Sequence, residues 1–222
     1  VIPTDGIKIA KAAVTDTTSV SYAIISGTND AINAVEPTSW TSTNATLTEA
    51  LNAMSNAENK TLYVKLNGDI NEKNYGKTIR LKSKFSFAND NCGFVLDLAG
   101  KKIDRSGMTP ESGKNSAIVL NGIVSVKITS SSSGRGTICG VKQNSSDIES
   151  TVFITGVGGT VRACIENIDI KNNTYDFTGQ GVAYPLEFLK IGYAMVNNVT
   201  IKDNSCVHSE KTVSWAAMSI ES

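Results

Sequence analysis

The chain has 222 residues and a mass of 23.5 kDa, enough to bury a sizeable core, and Lys plus Arg balances Asp plus Glu at 21 each. Zero formal net charge argues against a nucleic-acid partner, which would call for a basic face. No apolar run approaches the roughly 20 residues of a membrane span, and with charged residues at 19% the polarity rests on Ser, Thr, Asn and Gly, pointing to an extracellular, secreted or cell-surface protein.

Residues 1–45 read as an irregular segment with β-prone runs at Gly6–Ile9 and Val20–Ile25, an arm suited to capping or strand exchange. Val1-Ile2-Pro3-Thr4-Asp5 shows neither the basic nor the apolar region of a signal peptide, so a processed or trimmed form is expected. Residues 46–222 read as a capping helix followed by a parallel β-helix. Thr46 and Glu49 fit a capping box, and Leu47, Ala50, Leu51 and Met54 then form one apolar stripe of a short helix.

From Thr61 the period becomes twofold. Runs such as Leu62–Leu66, Phe94–Leu98, Ile118–Leu120, Thr137–Cys139 and Val152–Ile154 are separated by Gly, Asn, Ser and Asp. Ile123–Ser131, Ile165–Asn173 and Val196–Asn204 align without gaps, at offsets of 42 and then 31 residues, with apolar residues at the first, fourth and sixth positions. Three strands per repeat suit a triangular solenoid whose equivalent positions stack from coil to coil, with Ser131, Asn173 and Asn204 at a shared bend. The last apolar run, ending near Ile220, reads as an uncapped coil: either the chain is cut from a longer protein, or something covers that end, the segment around Ile7–Ile25 being a candidate, within one subunit or between copies.

Val95-Leu96-Asp97-Leu98-Ala99-Gly100-Lys101-Lys102-Ile103 resembles the "LDLNGKTI"-type coil near the start of secreted bacterial right-handed parallel β-helix proteins of the pectate-lyase-like superfamily, with Ala99 where the family usually has Asn. Thr46–Leu51 and Tyr63–Ile70 resemble that group's cap and first coil, and the resemblance spans about residues 46–204. It implies an all-β right-handed parallel β-helix and, where such proteins are enzymes, polysaccharide lyases or glycoside hydrolases. The polygalacturonase-like strings Asn-Thr-Asp, Asp-Asp, Gly-His-Gly and Arg-Ile-Lys are absent, and Asn173-Thr174-Tyr175-Asp176 only approaches the first.

Strand alternation puts Lys127, Asp169 and Thr200 in one outward row and Thr129, Lys171 and Lys202 in the next, with Glu166 close by. Asp169, Lys171 and Lys202 are the catalytic candidates, and Asp169 is the calcium candidate, because calcium takes oxygen ligands and a lyase base is often Lys. Cross-coil charge pairing on a solvated face is the plainer reading. Glu166, Trp40 and Trp215 are ligand-binding candidates, the aromatic faces suiting sugars, although both tryptophans also fit the ends of a core. His208 lacks a recognisable catalytic partner. Cys92, Cys139, Cys164 and Cys206 read as small buried thiols, with one disulfide as the other possibility. Asn44, Asn59, Asn144, Asn172 and Asn198 begin glycosylation sequons.

The function this implies is a non-catalytic extracellular structural or adhesive module, with copies of itself head-to-tail in a surface fibre, or surface glycans, as partners. The other reading is a carbohydrate-active β-helix, a lyase or a glycan-binding domain.

Overall fold

The computed structural model describes residues 14–82, 92–108, 115–143, 149–156, 161–177, 183–208 and 216–221. Within them the chain is a parallel β-solenoid of about four turns with one short α-helix. An N-terminal pair, β1 (Val20–Ile25) and β2 (Ser42–Ala45), precedes α1 (Leu47–Asn52), which tightens into a 3₁₀ turn over Ala53–Asn56. β3 (Thr61–Leu66) and β4 (Ile79–Lys82) open the solenoid. β5 (Gly93–Asp97), β6 (Lys102–Asp104) and β7 (Ile118–Asn121) form the first coil. The second holds β8 (Ser125–Thr129), β9 (Gly136–Cys139), β10 (Lys142–Gln143) and β11 (Val152–Thr155). The third holds β12 (Arg162–Glu166), β13 (Ile168–Lys171), β14 (Thr174–Phe177) and β15 (Leu186–Leu189). The fourth holds β16 (Tyr193–Asn197), β17 (Thr200–Lys202), β18 (Ser205–His208) and β19 (Met218–Glu221).

Each coil buries its inward side chains against the coils above and below it, so the core is a set of ladders. One runs Val64, Leu96, Ile128, Ile165, Val196. A second runs Ile103, Ile138, Ile170, Ile201. A third runs Leu81, Leu120, Ile154, Phe188, Ile220. Gly136 lies in such a row because a Cβ there would come within 2.7 Å of the Leu98 Cβ and 2.9 Å of the Ile168 Cδ1.

The triangular coil needs two corrections. Coils two to four carry a fourth short strand, in the stack β10, β14, β18. It escaped the apolar pattern because its inward residues are Gln143 and Tyr175, both buried. The gapless alignment also shifts register between its first two copies: Ile128 stacks on Ile165, not on Ile170. Ser130–Arg135 intervenes between β8 and β9, whereas Asn167 alone separates β12 from β13. The bend row therefore holds Asn173 and Asn204 without Ser131. The Asn204 Oδ1 accepts from the Asn173 backbone N–H at 3.0 Å and its Nδ2 at 2.8 Å, and the Asn173 Oδ1 accepts from Val141 N–H at 2.9 Å.

The N-terminal end is closed. β1 pairs antiparallel with β3 over its whole length, and β2 adds to the outside of β1. Of the expected arm, Val20–Ile25 thus covers the first coil's end of its own chain, opposite the fourth coil; Gly6–Ile9 lies outside the described residues. Helix α1 buries Leu47, Ala50 and Leu51, and Met54 follows in the 3₁₀ turn. Its N-terminus carries the expected box: Glu49 N–H donates to Thr46 Oγ1 at 3.2 Å and Thr46 N–H to Glu49 Oε2 at 2.7 Å. Two residues from outside complete it, with Leu47 N–H donating to Thr18 Oγ1 at 2.6 Å and Thr48 N–H to Asp16 Oδ2 at 2.7 Å.

Burial works to raise the Asp16 carboxyl, but hydrogen bonds from Thr18 and Thr48 outweigh it and hold the group below its ordinary 3.8. A depressed folded value stabilises the protein above the unfolded value, and that contribution is lost as pH falls through the folded one. Thermal scans should show wild type more stable than Asp16→Asn by a constant margin above about pH 5, shrinking at lower pH. A margin independent of pH would contradict this.

Between β1 and β2, residues 28–40 cross the outer face of the sheet containing β3, β5, β8 and β12 as a strap. Thr61 Oγ1 donates to the Thr28 carbonyl at 2.9 Å, Ala31 N–H to Ser125 Oγ at 3.0 Å, and Lys127 Nζ to the Ile32 carbonyl at 3.3 Å. Asp30 pairs with Arg162 at 3.3 Å and Glu36 with Lys65 at 2.5 Å. Ala31 seals a small outer cluster with Tyr63 and Val95. Gly93 fits beneath, where a Cβ would lie 2.6 Å from the Asn29 carbonyl oxygen.

Candidate functional site

The catalytic candidates lie on the outer face of the β6, β9, β13, β17 stack. Ile168 and Ile170 point into the core, so alternation turns Asp169 and Lys171 outward, and β17 places Thr200 beside Asp169 and Lys202 beside Lys171. Lys127 and Thr129 do not join these rows. The register shift puts them on β8, in the neighbouring sheet, where Lys127 stands beside Cys164. There they gather round Glu166: Lys127 Nζ is 3.0 Å and the Thr129 hydroxyl 3.0 Å from its Oε1. Residues 137 and 139 take their places beside Asp169 and Lys171.

Asp169 is engaged by a residue the sequence reading missed. Arg135 Nε donates to its Oδ1 at 2.5 Å, and Lys171 Nζ stands 4.0 Å from Oδ2. The same guanidinium donates through Nη1 to Asn198 Oδ1 at 2.5 Å, and through Nη2 to the Ile168 carbonyl at 2.9 Å and Thr200 Oγ1 at 3.0 Å. It thereby joins the second coil to the third and fourth. Arg135 sits in a Ser- and Gly-rich loop with no periodic pattern, so no sequence signal marked it. Arg135→Met should lower the unfolding free energy by about 1–3 kcal/mol in urea titration, because it orphans several part-buried acceptors. Unchanged stability would mean the guanidinium does not hold the coils.

Calcium needs several oxygen ligands converging on one point. The Asp169 carboxylate is shared between two cations, and among the described residues no group of three or more His, Cys, Asp or Glu is placed to hold a metal. The donor set at Asp169 does not suit calcium.

Trp40 is half-buried and packs edge-on against Tyr63, with ring centroids 5.8 Å apart and planes at 77°. Trp215 lies outside the described residues, and His208 ends β18. Cys139, Cys164 and Cys206 are free thiols, and Cys92, Cys139 and Cys164 are buried. Burial, with the Glu166 charge nearby, pushes the Cys164 thiol up to about 11, so it remains protonated at neutral pH.

A second overlooked residue is Glu187. Burial raises its carboxyl, the Ser150 hydroxyl that donates to it works the other way, and the Glu221 charge adds to the rise. Between the strap and β1 lies a groove of about 460 Å³, lined by Ile24, Asn33, Val35, Glu36, Pro37 and Ser39 among others. Its carboxylate, Glu36, is paired with Lys65. No helix among the described residues is long and apolar enough to cross a membrane.

No protein-family model, no curated protein and no solved structure matches this chain.

Proposed function

We propose that this chain is a non-catalytic extracellular structural or adhesive β-helix module that assembles head-to-tail through its fourth coil. The observation that carries the reading is the state of the ladder ends. Val196, Ile201, Met218 and Ile220 continue buried apolar rows, yet Val196 is 38% and Ile220 54% exposed and the other two are half-buried. β16 to β19 have no strand partner on that side among the described residues. Among the described residues this is an open strand edge joined to an apolar layer, which a further β-coil, here taken to be that of a second copy, would cover. At the other end of the same sheet, β2 is the outermost strand among the described residues. Stacking head-to-tail therefore sets β16 of one copy beside β2 of the next, and a heterologous contact that does not close grows as a fibre.

The long outer faces support the same reading, because their carboxylates serve cohesion between coils. Asp169 is tied to Arg135, Glu166 to Lys127, Asp30 to Arg162 and Glu149 to Arg80. The resemblance to secreted β-helix proteins agrees with an extracellular setting.

Negative-stain electron microscopy with light scattering across protein concentration tests the assembly. Wild type should form end-to-end particles, and Val196→Lys and Thr43→Pro, one at each joining edge, should abolish them while keeping the β-rich circular dichroism spectrum. Monomers at every concentration would overturn the assembly. Cleavage of a uronate polymer that is lost in Lys171→Ala or Lys202→Ala would overturn the non-catalytic reading in favour of a lyase.

A further inference from the structure

Two Asn–Gly pairs occur in the chain, Asn67–Gly68 and Asn121–Gly122, each preceded by Leu. In such a pair the glycine nitrogen can attack the asparagine Cγ, because no Cβ hinders the closing ring. The folded surroundings of the two pairs differ. Asn121 ends β7 half-buried, in register with Lys82 and Thr155, and the Gly122 N–H donates to the Thr155 carbonyl at 3.0 Å. That bond holds the nitrogen in the ladder between coils. Asn67 follows β3 and is exposed, and among the described residues the Gly68 N–H has no hydrogen-bond acceptor. A Cβ on Gly68 would meet nothing within 4 Å, so the backbone has open space in which to turn.

The Asn67 side chain acts as a clamp. Its Nδ2 donates to the Thr43 carbonyl at 2.8 Å and more loosely to Ser19 Oγ at 3.3 Å. Its Oδ1 accepts from the Ser21 hydroxyl at 3.1 Å, nearer than that hydroxyl's other acceptor, the Thr43 carbonyl at 3.3 Å. One amide thus ties the end of β3 to β1 and β2. The Ser21 proton also lies at the oxygen that gains negative charge when Cγ is attacked.

We infer that Asn67 is a self-modification site. The Gly68 nitrogen loses its proton and bonds to Asn67 Cγ, the Cγ–Nδ2 bond breaks, and Nδ2 leaves as ammonia with a proton gained from solvent. Water then opens the succinimide at the backbone carbonyl, giving isoaspartate, or at Cγ, giving aspartate. No oxidant or reductant takes part. The product carries a carboxylate where the amide donated, so the Thr43 carbonyl faces a negative charge in place of a donor, and β2 is held less firmly. The chemistry is independent of the assembly proposed above, which it touches only through β2.

The test incubates the folded full chain at mildly alkaline pH in water labelled with heavy oxygen and maps its peptides by mass. Asn67 should convert, with isoaspartate and the heavy label at that residue. Asn121 should react about 10²-fold more slowly, the loss expected of a nucleophile held out of line. In denaturing urea the two rates should converge. Gly68→Ala, for which there is room, should keep the wild-type circular dichroism spectrum and lose most of the conversion. Asn67→Asp, which carries the product's charge, should lower the Tm by about 2–4 °C through the lost hydrogen bond. Conversion at Asn67 no faster than at Asn121 in the folded chain, or undiminished in Gly68→Ala, would overturn the site. An unchanged Tm in Asn67→Asp would overturn the loosening of β2.

Discussion

Asp97→Ala is expected to lower the free energy of unfolding by about 3–5 kcal/mol, a large share of a typical domain's stability. Asp97 is fully buried at the end of β5 and is held by donors alone. Ala99 N–H and Ser131 N–H donate to Oδ1 at 2.8 and 2.9 Å, while the Tyr63 and Ser131 hydroxyls donate to Oδ2 at 3.0 and 2.5 Å. Four converging donors replace the hydration of a buried carboxylate and tie the first two coils together. Truncation leaves them without an acceptor, each costing about 1–3 kcal/mol where no water enters. Tyr63→Phe removes one donor and should cost only about 1 kcal/mol. Urea titration of both variants checks the pair; a loss below about 1 kcal/mol for Asp97→Ala would show that the donors find other partners.

The second large effect depends on position along a ladder. Phe188 lies between Ile154 and Ile220 and is fully buried, so Phe188→Ala should cost about 3–5 kcal/mol through lost burial and the cavity left behind. Ile220 occupies the next rung of the same row but is more than half exposed, and Ile220→Ala should cost less than about 1 kcal/mol. The contrast is measured on dilute monomer. Equal losses would mean that the last rung is as deeply buried as the one before it.

The solenoid could be read from the sequence because its cause is local. Alternating runs such as Leu62–Leu66 and Phe94–Leu98 state which side chains face inward, and the Thr46 and Glu49 box states where the helix begins. The step from β12 to β16 was legible for the same reason: no insertion interrupts the 31-residue offset, and Asp169 meets Thr200 as expected. The step before it was not. Ser130–Arg135 adds residues between two strands with the same alternation, and alternation cannot say to which face of the coil a strand belongs. The stack carrying Tyr175 was missed because a buried tyrosine flanked by Thr174 and Asp176 looks like a polar loop. At the candidate site, the outward Asp169, Lys171 and Lys202 were legible from alternation alone. The partner that engages Asp169 comes from a loop, where sequence spacing carries no geometric information.

The strap over residues 28–40 changes how such an array comes apart. In a solenoid where each coil touches only its neighbours, opening travels like a zipper, and the end coil frays almost independently of the rest. Here one stretch of chain fastens β3, β5, β8 and β12 from outside, so none of those coils can separate without releasing the others. The fourth coil is outside that fastening. Among the described residues the fourth coil is held instead by its strand pairing with the third and by Arg135, so the strapped coils should open together rather than one by one.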